Sequence, residues 1–228
     1  MEENCNCERI PLIGEDAPAF KANTTEGPIN FPADYKGKWV ILFSHPADFT
    51  PVCSTEFMTF AAMAEDFKAL NTYLIGLSVD SIHSHIAWLR TLTDMKWGAK
   101  KKGVAVKFPL IDDVSMEVAT KYGMIHDKTG TSAVRATFII DPNGKIRTIL
   151  YYPASTGRNM EEIKRIVIAL QKADKDKCAT PANWQPGKDV IIPAPGTRGG
   201  AEERAGSKSE DGMYCYDWFL CFRREKKQ

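Results

Sequence analysis

The sequence has no excess of either charge, no apolar run of membrane-spanning length, no internal repeat and no C-x-x-C or G-x-S-x-G string. Thirty Lys+Arg against 29 Asp+Glu leave a formal net charge of +1, so the overall balance points to neither nucleic acid nor an anionic membrane surface, and any ligand has to be recognised by a local site. No stretch approaches the roughly 20 apolar residues a transmembrane helix needs. The opening MEENCNCERIPLIGEDAPAF is acidic and lacks the basic segment and apolar run of a secretion signal. The expectation is a cytosolic protein with no nucleic-acid or membrane partner. Six cysteines among 228 residues make a poor disulfide framework in a reducing compartment, where thiols stay free unless they turn over chemically or bind metal. Each cysteine therefore needs its own reading.

With 43% hydrophobic residues the chain is long enough for one well-buried core and an appendage. KWVILFSH (38–45) is a near-continuous apolar run of strand length, as for a strand covered on both faces. Thr50 then suits a helix N-cap and Pro51 the first helical position, after which Phe57, Phe60, Ala61, Ala64 and Phe67 recur at helical spacing. TYLIGLSVD (72–80) reads as a second buried strand and SIHSHIAWLRTLTDMKW (81–97) as a second helix, followed by KFPLIDD (107–113) and a short helical piece. VRATFIIDPNGKIRTILYY (134–152) holds two strands around Asn143-Gly144, a strong hairpin signal that makes this part of the sheet antiparallel. NMEEIKRIVIALQKA (159–173) places Ile163, Ile166, Val167 and Leu170 on one helical face.

The order βαβα, hairpin, α predicts an α/β protein with a thioredoxin-like fold and a mixed central sheet over residues 1–173. From about 174 to 228 the composition shifts: Pro181, Pro186, Pro193 and Pro195 interrupt the chain, GTRGG follows, and a polar stretch precedes the aromatic cluster YCYDWFLCF. This is read as an extended arm ending in a short helix.

The chemistry centres on HPADFTPVCSTEF, residues 45–57. If Thr50 caps the helix, Cys53 lies in its first turn, where free backbone N–H groups and the positive end of the macrodipole favour an anion. The thiolate is the reacting species. The same donors face a substrate oxygen approaching the sulfur, and the Thr50 hydroxyl, one helical turn away, can hold that substrate. An acidic thiol alone is not enough. For any thiol, lowering the pKa from about 8.5 to about 6 raises the thiolate fraction at neutral pH roughly 30-fold, while the loss of nucleophilicity removes about 13-fold. Rate enhancement must come from groups that stabilise the transition state, so a cation or further donors are expected nearby.

Pro46, Thr50 and Cys53 in HPADFTPVC match the P-x-x-x-T-x-x-C signature of peroxiredoxins, and FSHPADFTPVCSTE closely resembles the subgroup that includes the one-cysteine type. The resemblance runs over roughly residues 9–195. It implies an elaborated thioredoxin fold and a cysteine that attacks a peroxide oxygen, from hydrogen peroxide or an organic hydroperoxide, to become a sulfenic acid, with no metal, flavin or haem. It further implies that Arg135 in VRATFIID supports thiolate and leaving oxygen, Pro46 shields the pocket, Thr50 bonds the peroxide, and Glu56 orients the arginines. Arg158 in YYPASTGRN resembles a second supporting arginine, and His45 a subgroup histidine near the sulfur. Family precedent also implies reduction by thioredoxin or a similar dithiol, and dimers assembling to a decamer, in which the aromatic tail packs on a neighbouring subunit.

The spacing C-x5-C in YCYDWFLC departs from the one-cysteine type and resembles a bacterial and archaeal variant with a C-terminal resolving thiol. Residues 174 to 221 could span about 150 Å if extended, so reach alone does not choose between attack within a chain and across a dimer. Read on a helix, Cys215 and Cys221 do not share a face, so one resolves while the other exchanges the disulfide or stays spare. By resemblance Cys221 resolves with Cys215 assisting, and Cys178 is a bystander near the hinge of the arm.

Blander readings lack the residues they need. A thioredoxin-like disulfide oxidoreductase needs C-x-x-C, and a papain-like hydrolase needs a histidine base and a local signature that is absent. The lipase activity that some one-cysteine relatives build on G-x-S-x-G is not transferred, because Gly130-Thr131-Ser132 is followed by Ala133-Val134. His83 and His85 lie two apart on a helix and are read as solvated rather than as metal ligands. Cys5-Asn6-Cys7 lacks partner ligands, and Lys100-Lys101-Lys102 reads as a solvated loop. Alternatives to the thiol peroxidase with a resolving tail are a one-cysteine peroxidase with an external thiol reductant and a redox-controlled chaperone or scaffold oligomer.

Overall fold

Trp39–Ser44 (β3), buried at every residue, is the strand on which the sheet is built. The computed structural model describes residues 10–96, 103–126, 132–206 and 212–225. Cys5, Cys7, Lys100, Lys101, Lys102, Gly130 and Thr131 lie outside them. The chain divides into two units, Met1–Met160 and Glu161–Gln228. The division places most of the helix read over 159–173 with the C-terminal unit.

In the first unit, Phe20–Ala22 (β1) and Ile29–Phe31 (β2) form a small antiparallel pair that the sequence reading did not include. The main sheet has the order β5-β4-β3-β6-β7. Thr72–Ser78 (β4) runs parallel to β3, and Leu110–Asp112 (β5) parallel to β4. Arg135–Ile140 (β6) is antiparallel to β3, and Ile146–Tyr152 (β7) antiparallel to β6. The sheet is therefore mixed, as expected for a thioredoxin-like fold. The turn between β6 and β7 is at Asn143-Gly144, where Gly144 takes a φ of +79° that a side chain would oppose.

Helices Pro51–Ala62 (α1) and Ala64–Ala69 (α2) cross from β3 to β4, Ile82–Asp94 (α3) follows β4, and Glu117–Lys121 (α4) follows β5. Alternation along β3 covers both faces of the sheet. Val40 and Leu42 join Ile75, Phe138 and Tyr122 in one apolar cluster. On the other face Phe43 meets Phe57 and Phe60 of α1 at ring separations of 5.4 and 4.5 Å. This packing fixes α1 over the sheet with its first turn at the C-terminal end of β3.

The second unit carries Met160–Asp176 (α5) from Glu161 onward, Val190–Ile192 (β8), Arg198–Gly206 (α6), Met213–Asp217 (β9) and Leu220–Arg223 (β10). Ala169, Trp184 and Val190 form its core, with Ile168 and Cys178 packed against them. The sheet order is β8-β10-β9, both pairings antiparallel. The tail expected as a short helix is thus a hairpin. In MYCYD and LCFR aromatic and apolar side chains alternate with a period of two, and strand β8 offers β10 an edge to pair with. Among the described residues, no helix is long and apolar enough to cross a membrane.

Candidate active site

Helix α1 begins where β3 has turned through residues 45–50. Phe49 takes a left-handed φ of 55°, which bulky side chains avoid, in the step before the helix. Thr50 occupies the N-cap position with extended backbone, and Pro51 is the first helical residue. The first intrahelical bond runs from Ser54 N–H to the Thr50 carbonyl at 3.0 Å, so Cys53, the third helical residue, lies among the unpaired N–H groups of the first turn. One detail differs from the sequence reading. The Thr50 side chain does not cap the helix; its hydroxyl donates to the Ala47 carbonyl at 2.8 Å. The Thr50 oxygen keeps its lone pairs as acceptors.

Cys53, Glu56 and Phe57 lie on one face of α1, at i, i+3 and i+4, and all are buried. Arg135 opens β6, the strand between β3 and β7, and is only 2% exposed. Its Nη1 lies 3.2 Å from Cys53 Sγ and 2.9 Å from Glu56 Oε2. Its Nε and Nη2 both donate to the Ala154 carbonyl, at 3.2 and 2.9 Å. A lone arginine at the start of a strand would ordinarily face water; here every residue of β6 is covered.

Arg158 completes the group. Its Nε and backbone N–H donate to Glu56 Oε1 at 3.0 and 2.8 Å, and its Nη2 to Glu56 Oε2 at 2.7 Å. Nη1 donates to the Ala136 carbonyl at 2.9 Å, and the guanidinium lies 5.1 Å from the Phe43 ring centre. Burial acts to raise the Glu56 carboxyl, but Arg158 and Arg135 more than offset it and hold the group below its ordinary value. Two guanidiniums share one carboxylate, so a positive charge remains to face the sulfur.

Pro46 lines an open groove of about 580 Å³ with Val134, Tyr152, Pro153 and Ala154. Ala154, whose carbonyl holds Arg135, is one of the residues lining this groove. Cys53 itself has no exposed surface.

His45 is wholly buried, and so is His85. The reading of solvated histidines holds for His83, which is exposed, and fails for His85. Both buried rings meet Asp48, a residue the sequence reading passed over: Asp48 Oδ1 lies 3.0 Å from His45 Nε2 and Oδ2 lies 2.8 Å from His85 Nδ1. The missed signal is in α3, where His85, Trp88, Leu89 and Leu92 follow the i, i+3, i+4, i+7 pattern and all are buried.

In the second unit Cys215 and Cys221 are directly opposite in the β9–β10 register and are joined as a disulfide, with Cα atoms 4.0 Å apart. The helical separation expected of them does not apply, because a hairpin puts residues on facing strands side by side. Cys178 is a free thiol, partly buried, and its burial pushes its pKa up. That environment suits a bystander.

Comparisons with known proteins give the chain a family. The AhpC/TSA family model matches residues 13–149, and a model of the C-terminal domain of 1-Cys peroxiredoxin matches residues 169–208. A peroxiredoxin of Methanosarcina mazei is 62% identical over 220 residues, 96% of this chain and 100% of the relative. A yeast mitochondrial 1-Cys peroxiredoxin, described as resolved through glutathione/thioredoxin systems, superimposes with a TM-score of 0.80 at 41% identity, covering 95% of this chain and 100% of that one. A cysteine-to-serine mutant of peroxiredoxin 6 of Arenicola marina gives a TM-score of 0.80 at 34% identity, over 96% and 100% of the two chains. With a family match over more than half its length and a relative matched end to end, the chain belongs to the AhpC/TSA family, the peroxiredoxins.

Proposed function

We propose that the protein is a thiol-dependent peroxidase in which Cys53 reduces hydrogen peroxide and organic hydroperoxides, and the C-terminal cysteine pair carries the oxidising equivalents away. The observation that carries the first step is the 3.2 Å approach of Arg135 Nη1 to Cys53 Sγ. The thiolate attacks the terminal peroxide oxygen, an S–O bond forms, the O–O bond breaks, and the leaving alkoxide or hydroxide takes a proton to depart as alcohol or water. Arg135 is placed to stabilise the negative charge that moves from sulfur to the leaving oxygen. With its own proton given to Ala47, the Thr50 hydroxyl is an acceptor for the hydroperoxide O–H. Because Cys53 is wholly buried, contact with peroxide requires the residues over the sulfur to give way.

Cys221 thiolate attacks the Cys53 sulfenic sulfur, the S–O bond breaks and hydroxide leaves, taking up a proton to become water; Cys215 thiolate then attacks the Cys221 sulfur and frees Cys53 as thiolate. The resulting Cys215–Cys221 disulfide is the pairing found in the tail hairpin. A thioredoxin-like dithiol reduces it. The tail hairpin exposes Tyr216, Trp218 and Phe219, an apolar surface that supports a homodimer; assembly to a decamer and a cytosolic setting are carried over from the family likeness. A one-cysteine cycle with an external thiol is the second reading, favoured by the match over residues 169–208, which ends before either tail cysteine.

Non-reducing electrophoresis separates the two. After one equivalent of peroxide the reduced parent should show the Cys215–Cys221 disulfide on peptide mapping, Cys215→Ser should hold the Cys53 disulfide to Cys221, and light scattering should show an assembly larger than a monomer. Replacing both Cys215 and Cys221 by serine should leave a persistent Cys53 sulfenic acid and stop thioredoxin-driven turnover. Unchanged turnover in the double variant would establish the one-cysteine cycle instead.

A further inference from the structure

Behind the turn that carries Pro46 and Thr50 lies a buried polar cluster that the chemistry above does not use. Beyond its two contacts with His45 and His85, Asp48 leads on to the backbone, for His85 Nε2 lies 3.0 Å from the Ile111 carbonyl oxygen. A carbonyl only accepts, so His85 Nε2 carries a proton. The 2.8 Å contact between Asp48 Oδ2 and His85 Nδ1 needs a second proton, since a carboxylate facing a bare ring nitrogen would set lone pair against lone pair. Asp48 Oδ1 accepts from His45 Nε2–H at 3.0 Å. This leaves His45 Nδ1 bare, and among the described residues it is the buried side-chain polar atom without a hydrogen-bond partner.

The location of the second proton follows from the surroundings. Burial works to raise the Asp48 carboxyl, but the hydrogen bonds of His45 and His85 outweigh it and hold it well below the usual carboxylate range. Burial pushes His45 down, in keeping with a neutral ring. A carboxylate whose two oxygens each face a ring nitrogen, with a carbonyl that only accepts beyond His85, is the arrangement that puts the second proton on His85.

We propose that Asp48 and His85 form a buried carboxylate–imidazolium pair that locks the Pro46–Thr50 turn to helix α3 and strand β5, making both of them positioning residues for peroxide reduction. The titratable groups facing the pair are His45, at the end of β3, and Asp80, between β4 and α3. Asp80 Oδ2 accepts the Asp48 backbone N–H at 3.0 Å and the Ser78 hydroxyl at 2.7 Å. His45 in turn is covered by aromatic rings: Trp88 stacks on it at 5.1 Å and Phe57 meets it edge-on at 4.8 Å. Trp88 Nε1 also donates to Ser54 Oγ at 3.2 Å, next to Cys53, so α3 is tied to the turn and to the first turn of α1 together. A charge-paired hydrogen bond in such surroundings is strong and directional, and it fixes the peptide run that delivers both Pro46 and Thr50.

The positioning role rests on the peroxidase reading, and nitrogen-15 NMR of the histidine rings tests the pair independently of turnover. At pH 7.5 the full-length protein should show protons on both ring nitrogens of His85. Asp48→Ala should slow peroxide oxidation of Cys53 at least about tenfold, while alkylation of Cys53 by iodoacetamide, which does not use the peroxide-holding turn, changes by less than about threefold. Asp48→Asn can accept from His45 and donate to a neutral His85 Nδ1. It should restore the rate at least about fivefold over Asp48→Ala and reduce His85 to one N–H. A single N–H on His85 in the parent, an Asp48→Asn rate no faster than that of Asp48→Ala, or alkylation falling in step with oxidation would overturn the proposal. Where Asp48→Ala does not fold, the two N–H signals of the parent and their reduction in Asp48→Asn decide alone. A doubly protonated His85 in a chain whose Cys53 does not react with peroxide would remove the peroxidase reading and leave the pair standing.

Discussion

Arg135→Ala should slow the oxidation of Cys53 by hydrogen peroxide about a thousandfold, measured by stopped flow with peroxide in excess. Donors aimed at developing charge in a dry site are commonly worth about 10²–10³ each in rate, and Arg135 acts at both ends of the transferring charge. Its guanidinium is held from three sides, by Glu56 Oε2 and by two bonds to the Ala154 carbonyl, so it is in place before the substrate arrives. The general arithmetic for thiols argues the same way: acidity alone changes reactivity about twofold, so a loss of this size has to come from the transition state. Thr50→Val, which removes the acceptor for the hydroperoxide proton, should produce a smaller loss of about tenfold to a hundredfold. A rate for Arg135→Ala within about threefold of the parent would show that the 3.2 Å contact has no part in the chemistry.

The second large effect concerns stability. Glu56 is 2% exposed and accepts from both Arg135 and Arg158. Glu56→Ala leaves two buried guanidiniums side by side without their shared counter-charge, a change that typically costs about 3–5 kcal/mol. Against a total stability of about 5–15 kcal/mol, this should lower the urea midpoint sharply and leave part of the population unfolded without denaturant. The pH dependence has a definite sign. The folded-state Glu56 value lies below the ordinary 4.5, so its contribution is fully present above about 4.5 and is lost as pH falls through the lowered folded value. Urea melts of the parent should therefore weaken steadily below pH 4.5, and Glu56→Gln should flatten that slope while lying lower at neutral pH. A variant with the parental midpoint and slope would mean that Arg158 and Arg135 find other partners.

Much of the catalytic arrangement was legible because local signals and long-range packing agree there. HPADFTPVC follows a fully buried strand and places a proline at the first helical position and a thiol two residues on, and the chain folds as strand, turn and helix in that order. Asn143-Gly144 likewise marks its hairpin through the left-handed φ that Gly144 adopts. What was illegible was in part a choice between local options and in part dependent on partners far off in sequence. The Thr50 hydroxyl had two local options, the helix N–H groups and the Ala47 carbonyl, and the left-handed step at Phe49 turns it to the second. Arg135 is buried because β6 lies between β3 and β7, which nothing within VRATFIID states. The tail reads as a short helix in the sequence, but tyrosines recur with a period of two in MYCYD, and pairing with β8 makes the segment a hairpin. The spacing of His85 from His83 is uninformative, whereas its spacing from Trp88, Leu89 and Leu92 places it on the buried face of α3.

The most direct test of the central claim is to identify which sulfur peroxide oxidises first. The fully reduced protein is mixed with one equivalent of hydrogen peroxide in the presence of dimedone, and every cysteine-containing peptide is mapped by mass spectrometry. The account predicts that the sulfenic acid adduct forms on Cys53, that Cys178 stays unmodified, and that Cys53→Ser abolishes both the adduct and the consumption of peroxide. An adduct that forms first on another cysteine, or a Cys53→Ser variant that consumes peroxide at the parental rate, would contradict it.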